Sequence, residues 1–189
     1  MPIEIIEETA SQLAEYETVP ISFEVRSRYN VFPQADTGGL MLVEEEVEPY
    51  VKDYDADEKE RPLQWAAQFD ISNWGFLAAF DGEKRVGGAA VAFGTPSLGL
   101  LKGREDVASL WDIRVHPDHR GLGIGKMLFD TAVDWARKRG CRLFKIETQD
   151  INVPACRFYV RQGCVLNEAN RDAYPPEMNE IQLVWYLDL

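Results

Sequence analysis

A short run of glycines flanked by basic residues is the part of this sequence best suited to binding chemistry. It consists of Arg120, Gly121, Leu122, Gly123, Ile124, Gly125 and Lys126. A helix is predicted over 124–139, so the run stands at a helix N-terminus, where unpaired amides and the helix dipole favour an anion. Glycines in place of the usual Ser, Thr, Asp or Asn cap let the backbone turn and approach a ligand closely. The run therefore predicts a phosphate-binding loop.

Two better-known phosphate loops do not fit the run. A nucleotide P-loop needs Ser or Thr after its lysine, whereas Met127 follows Lys126. A dinucleotide fingerprint needs a glycine spacing that Ile124 and Lys126 break, and it belongs at a first strand rather than late in the chain. A glycine-rich turn without a ligand is the alternative for the run taken alone.

The elements that must position this loop follow from hydrophobic periodicity. The helix over 124–139 has an apolar face of Ile124, Met127, Leu128, Ala132, Trp135 and Ala136, and Gly140 predicts its end. Strands are predicted over 107–115, 142–148 and 181–187, with a hairpin of 74–80 and 85–93, a short helix over 153–162, and weak strands at 21–25 and 40–43. The strand–helix–strand unit over 107–148 implies one parallel pair in an otherwise antiparallel sheet, hence a mixed α/β fold.

Composition limits the function classes. A chain of 189 residues fits one domain over 1–189. Its net charge of −12, with acidic clusters at 44–48 and 53–60, disfavours nucleic acid and anionic membranes and favours cations, although solvated surface is the plainer explanation for each cluster. The start has no basic leader and no stretch is long and apolar enough to span a membrane, so we expect a cytoplasmic protein.

The side chains that most often ligate metals or act as nucleophiles are few. Cys141, Cys156 and Cys164 lack metal-ligand spacing, and we expect them to be reduced, partly buried thiols. His116 and His119 have no matching cluster, so no metal is expected.

Two longer motifs resemble those of the GNAT-type N-acetyltransferases. Residues 110–126 read Leu-Trp-Asp-Ile-Arg-Val-His-Pro-Asp-His-Arg-Gly-Leu-Gly-Ile-Gly-Lys, and residues 152–159 read Asn-Val-Pro-Ala-Cys-Arg-Phe-Tyr. Within that superfamily, shorter segments at 22–25, 49–54, 147–150 and 184–187 look like the streptothricin acetyltransferases, while 56–72 departs from the pattern. The resemblance covers about 74–168 and implies the GNAT fold, a mostly antiparallel sheet with a splayed parallel strand pair and flanking helices.

The resemblance also implies a cofactor and its contacts. Acetyl-CoA is the expected acyl donor, with its pyrophosphate on residues 120–126 and its pantetheine arm on the main chain of Ile113, Arg114 and Val115. Asn152, Ala155 and Tyr159 are the further cofactor-binding residues implied.

In this family the amine attacks the thioester directly through a tetrahedral intermediate, so no protein nucleophile is needed. Tyr159 is the implied general acid, since a phenol can protonate the departing thiolate while remaining neutral itself. Packing against Phe158 is the alternative for Tyr159. Asp112 and Glu147 are the candidates for the general base, and a solvated or salt-bridged carboxylate is the alternative for each.

The expected reaction is acetylation of a primary amine on a small cationic acceptor, such as the β-lysine amine of a streptothricin-type antibiotic. Acetylation of a protein N-terminus or lysine uses the same donor and stays open. So does a non-catalytic acyl-CoA-binding module. The expected partners are acetyl-CoA and the amine, without nucleic acid or membrane, and homodimerisation stays open.

Overall fold

The computed structural model describes residues 2–34, 36 and 38–189. The chain divides into two compact units. Unit 1 comprises Met1–Ser22, Asp53–Phe144 and Asp188–Leu189, and unit 2 comprises Phe23–Lys52 and Lys145–Leu187. The single domain inferred from the sequence stays a prediction.

Nine strands and four α-helices lie within the described residues. The strands are β1 Ile3–Glu8, β2 Phe23–Gln34, β3 Gly39–Lys52, β4 Gly75–Asp81, β5 Lys84–Ala92, β6 Val107–Val115, β7 Leu143–Gln149, β8 Val165–Asn170 and β9 Gln182–Asp188. The helices are α1 Leu13–Tyr16, α2 Trp65–Gln68, α3 Ile124–Lys138 and α4 Val153–Arg161. From β4 onward, every element predicted from the sequence begins and ends within one residue of its observed bounds.

Unit 1 contains an antiparallel sheet in the order β1-β4-β5-β6. At two glycines of this sheet, an aromatic ring from a helix packs directly against the backbone because no Cβ is in the way. A Cβ on Gly75 would lie 2.4 Å from Cε2 of Trp135 in α3, and one on Gly88 would lie 2.5 Å from Cε2 of Tyr16 in α1. Gly88 pairs with Ala78, three residues from Gly75, so the two glycines face opposite sides of the sheet. Helix α3 therefore covers one face and α1 the other.

Helix α3 has the apolar face that the sequence predicted, with one exception. Ile124, Leu128, Ala132, Trp135 and Ala136 are buried, whereas Met127 is 38% exposed and lies at the margin of the packed face. The helix ends before Gly140, which adopts a left-handed φ of 78°. A glycine in this conformation is a common helix stop because it has no Cβ to clash.

The predicted parallel pair begins inside unit 1. The amides of Arg142 and Leu143 both donate to the carbonyl of Asp106, over 2.8 and 3.3 Å. Asp106 precedes β6 and Leu143 begins β7, so the two strands start side by side and run in the same direction. This confirms the mixed, mostly antiparallel sheet with one parallel pair, while its splaying stays a prediction.

Unit 2 combines strands in the order β7-β9-β8 with the β2–β3 hairpin and α4. The hairpin strands have 12 and 14 residues, so the two short strands predicted at 21–25 and 40–43 were wrong in extent. Polar side chains link the two strands of the hairpin. Ser27 donates to Glu44 over 2.6 Å, and Asn30 donates to Glu45 over 2.7 Å. The acidic cluster at 44–48 is thus part of a strand, where such pairs stabilise the ladder.

Four short elements were not predicted at all, namely β1, β8, α1 and α2. The two helices have four residues each, too few for a periodic signal. Among the described residues, the structure has no helix with the length and apolar character needed to cross a membrane.

Candidate active site

The glycine run forms an open turn at the start of α3. Gly121 and Gly123 have φ of 80° and 84°, in the left-handed region that glycine tolerates. Gly123 caps the 15-residue helix without a side-chain hydrogen bond, and nothing lies within 4 Å of a Cβ built on either glycine. Gly125 already belongs to the helix. The turn thus has open space beside its glycines, at the helix end whose first amides lack intrahelical partners, and this fits the pyrophosphate of a CoA-type cofactor.

The two basic residues beside the run have partners within unit 1. Arg120 donates from Nε to the carbonyl of Val115 over 3.0 Å and from Nη2 to that of Ser22 over 2.9 Å. Burial lowers the pKa of this guanidinium. Lys126 pairs with Asp130 at 2.5 Å on the exposed surface of the helix. Arg120 thus ties the end of β6 to Ser22, and it adds positive charge beside the loop.

The strand before the loop carries a bulge. Ala90 pairs with Asp112 and Val91 pairs with Leu110, so Trp111 is an extra residue on β6. Pairing with β5 resumes beyond it, Ala89 opposite Ile113 and Gly87 opposite Val115. Bulges reorient the backbone locally and are frequent beside active sites. The main chain of Ile113, Arg114 and Val115 therefore follows directly on this bulge.

Asp112, one of the two base candidates, is part of a polar cluster in unit 1. Its Oδ1 accepts from the Tyr16 phenol at 2.5 Å and from Arg114 Nε at 2.9 Å, and its Oδ2 accepts from Arg114 Nη2 at 2.8 Å. Arg114 also donates to Asp55 over 2.9 and 3.3 Å and to the carbonyl of Val19 over 3.1 Å. This cluster joins β6, α1 and the turn around Asp55.

Burial and charge set the protonation of this cluster. Burial alone lowers the pKa of Arg114, but the charge of Asp112 and its hydrogen bonds outweigh burial and raise it. The pKa of Tyr16 is raised well above its ordinary value, first by burial and then by the negative charge of Asp112. The phenol therefore stays protonated and donates to Asp112. The sequence did not single out the Arg114 side chain, nor its link to Tyr16 and Asp55, since Tyr16 and Asp55 are 96 and 59 residues from their partners in the chain.

Glu147, the second base candidate, lies on β7 in unit 2. Its Oε1 accepts from the phenol of Tyr174 at 2.6 Å, and the Tyr174 oxygen accepts from Nε2 of Gln149 at 2.8 Å. Between them, Thr148 accepts from Trp185 Nε1 at 2.8 Å. Neighbouring strand residues face opposite sides, so Glu147 and Gln149 share one face of β7 and Thr148 lies on the other. The sequence did not predict a role for Tyr174.

The second motif forms α4 in unit 2. The Asn152 side chain caps this helix, because its Oδ1 accepts from the amide of Ala155 at 3.2 Å. Tyr159 is 4% exposed, and its ring packs edge-on against Phe158 with centroids 5.3 Å apart. Both the packing contact and a chemical role for Tyr159 are compatible with this position.

The cysteines are unsuited to nucleophilic work. All three are free and buried. Burial raises the pKa of Cys156 to about 11 and that of Cys164 to about 12, so both thiols stay protonated near neutrality. The described part of the chain contains no group of three or more His, Cys, Asp or Glu side chains arranged to hold a metal ion.

Comparison with known proteins decides the family. Residues 40–164 match the model of the acetyltransferase (GNAT) family. This chain belongs to the GNAT acetyltransferase family. As a member, it is an N-acetyltransferase that takes its acyl group from acetyl-CoA, in keeping with the open glycine turn at the start of α3.

The chain is also similar to individual known proteins. The acetyltransferase is 30% identical over 189 residues to the streptothricin acetyltransferase of Escherichia coli, covering 98% of this chain and 95% of the relative. It is 34% identical over 93 residues to streptothricin acetyltransferase A of Bacillus subtilis, covering 44% of this chain and 54% of that relative. In fold it resembles an acetyltransferase of Bacillus anthracis solved with acetyl coenzyme A, with a TM-score of 0.78, 23% identity and full coverage of both chains.

Proposed function

We propose that this acetyltransferase transfers the acetyl group of acetyl-CoA to a primary amine of a small cationic acceptor, the β-lysine amine of a streptothricin-type antibiotic. The observation that carries the proposal is the similarity to a streptothricin acetyltransferase along 98% of the chain. The net charge of −12 supports it, since an acidic protein attracts a cationic acceptor. A cytoplasmic location and a homodimer belong to the same proposal.

Different residues of the chain bind different parts of acetyl-CoA. Amides of the glycine turn and of the first turn of α3 bond the pyrophosphate, with the positive charges of Arg120 and Lys126 beside it. The main chain of 113–115, which follows the bulge at Trp111, bonds the pantetheine arm and orients the thioester. Asn152 and Ala155, joined at the start of α4, are assigned to the same cofactor. Acetyl-CoA itself supplies an activated acetyl group.

Proton transfer completes the reaction. The ammonium of the acceptor must lose a proton before its nitrogen can attack the thioester carbon, and the departing sulfur must gain one. We assign the second step to the Tyr159 phenol. Asp112 and Glu147 are both proposed for the first step. Asp112 already forms an ion pair with the Arg114 cation, which stabilises its charged form and makes it the weaker proton acceptor of the two.

The test is direct. Purified protein and acetyl-CoA are incubated with streptothricin, polyamines, an aminoglycoside and an N-terminal peptide, and products are identified by mass spectrometry together with released CoA. We expect a single acetyl group on streptothricin at the highest kcat/KM of the panel. Preferential acetylation of the peptide would instead assign a protein substrate. Tight acetyl-CoA binding without transfer to any amine would indicate a binding module.

A further inference from the structure

The connection between β8 and β9, residues 171–181, is tied to the β2–β3 hairpin by charged side chains. We call this segment the strap. Near its start Arg171 donates to the carbonyl of Val31 over 2.8 Å. Near its end Arg28 donates to the carbonyl of Asn179 over 2.7 Å, and Lys52 pairs with Glu180 at 2.5 Å. The strap is therefore fixed at both ends within unit 2.

A buried carboxylate joins the end of the strap to the end of β7. Asp150 is fully buried, and its Oδ1 accepts from the amide of Ile181 at 2.6 Å. Its Oδ2 accepts from Nε and Nη2 of Arg28 at 2.8 and 2.5 Å. A buried, hydrogen-bonded ion pair of this kind has one favourable geometry, so it holds the strap at a defined position relative to β7.

Between these anchors the strap carries Tyr174 to the polar face of β7. The phenol has one proton to donate, and its oxygen accepts from Gln149 Nε2 at 2.8 Å. That proton is directed to Glu147 Oε1, 2.6 Å away. Pro175 follows Tyr174 and disfavours helical backbone conformations at Tyr174, and Pro176 does the same at Pro175. The two hydrogen bonds thus run in one direction, from Gln149 to Tyr174 and from Tyr174 to Glu147. The proline-restricted backbone of the strap limits the movement of Tyr174.

We propose that Tyr174 is a positioning residue for the acceptor amine, acting by fixing the orientation of the Glu147 carboxylate. A carboxylate has about four acceptor positions, and Tyr174 occupies one of them. An ammonium bound at the same carboxylate is then placed by the direction of the Tyr174 bond. The inference rests on the proposed function, because it needs Glu147 to meet the acceptor. It makes the strap the element that selects for a cationic amine.

The test removes one oxygen atom. Tyr174→Phe keeps the ring and the strap anchors but loses the bond to Glu147. With the best amine of the panel, we expect kcat/KM for the amine to fall about tenfold or more, the usual effect of losing a hydrogen bond to a charged group, while KM for acetyl-CoA is unchanged. Gln149→Leu, which frees the phenol to rotate, is expected to cause a smaller fall.

Tyr186→Phe is the matched control. Tyr186 also donates its phenol to a glutamate, Glu168, and its ring faces the Lys145 ammonium at 4.8 Å. Because this pair does not involve Glu147, we expect kcat/KM for the amine to stay at the wild-type value. Thermal melting of both variants checks that the fold is retained.

The outcomes separate this inference from the proposed function. If Glu147→Gln loses activity while Tyr174→Phe and Tyr186→Phe both keep it, the positioning role is wrong and the proposed function stands. If the wild type acetylates no amine of the panel, the proposed function fails. The positioning role is then tested by calorimetry with streptothricin and spermidine on protein saturated with CoA. Equal affinity in wild type and Tyr174→Phe, or no binding by either, overturns it.

Discussion

At the scale of single residues, Arg114 has a structural role that its position in a cofactor motif does not suggest. Its side chain is 1% exposed and pairs with two carboxylates, those of Asp55 and Asp112. It also bonds the backbone at Val19 and stacks over the Tyr16 ring, 5.1 Å from its centroid. The motif predicted the main chain of Arg114 as a cofactor contact. The fold adds a side chain that joins three segments of unit 1.

Removing the positive charge of Arg114 should lower the free energy of unfolding. Arg114→Met keeps much of the side-chain volume but leaves Asp112 without its cation, and breaking a buried pair in this way costs about 3–5 kcal/mol of unfolding free energy. Urea denaturation measures the loss. Arg104→Met is the control, because Arg104 pairs with Asp106 on the surface, where the two side chains are 49% and 36% exposed, and it should change stability little. Equal losses in the two variants would mean that the cluster is not a main source of stability.

Tyr159 gives a second prediction for a single residue. If its phenol protonates the departing sulfur, Tyr159→Phe should lower kcat about 100-fold, the lower range for general acid catalysis, with little change in the affinity for acetyl-CoA. Steady-state kinetics and calorimetric binding of acetyl-CoA measure the two effects. Tyr50→Phe removes a phenol from a tyrosine that is 44% exposed and should change neither. An unchanged kcat in Tyr159→Phe would leave this ring with a packing role alone.

At the scale of elements, α3 has a glycine of the same conformation at each end. Gly123 precedes the helix with φ of 84°, and Gly140 follows it with φ of 78°. Neither would bring a Cβ within 4 Å of another atom. Alanine at either position is therefore strained by its backbone and not by its surroundings, which makes the two sites a matched pair.

The pair tests whether the N-terminal glycine serves a ligand. Both Gly123→Ala and Gly140→Ala should lose about 1–2 kcal/mol of unfolding free energy, since each puts an L-residue in the left-handed region. Gly123→Ala alone should weaken acetyl-CoA binding, because it disturbs the turn whose amides meet the pyrophosphate. Thermal unfolding and isothermal titration measure the two effects. Equal acetyl-CoA affinity in both variants would remove the loop from the donor site.

At the scale of the whole molecule, the buried thiols predict how stability depends on alkaline pH. Burial raises the pKa of Cys156 from its ordinary value of 9.0 to about 11. A group with a raised folded pKa contributes its full stability below the unfolded pKa, and this contribution is lost as pH rises towards the folded value. Between about pH 9 and 11 this thiol should lower the unfolding free energy by about 1.4 kcal/mol per pH unit.

Cys156→Ala isolates this contribution. Alanine removes the ionisable group, so unfolding free energy measured from pH 8 to pH 11 should fall less steeply in the variant than in the wild type. The cavity left by the sulfur shifts the variant's curve at every pH without changing its slope. Parallel curves would show that Cys156 ionises equally in the folded and unfolded chain.

The sequence by itself determined the strands and helices from β4 onward except β8, including the helix after the glycine run, and it determined the family. These features rest on local signals: apolar periodicity for α3, glycine at a helix start, and motifs contiguous over 110–126 and 152–159. Local signals failed in the first part of the chain, where the long β2–β3 hairpin is stabilised by polar pairs across its strands.

Only the tertiary structure decided which partner each polar side chain meets. Asp112 and Tyr16 are 96 residues apart in the chain, and Arg28 and Asp150 are 122 apart, so no spacing rule links them. The same holds for Tyr174, which reaches Glu147 because the strap is anchored at both ends. A hydrogen bond depends on distance and direction in space, and for side chains this far apart along the chain, folding alone sets both.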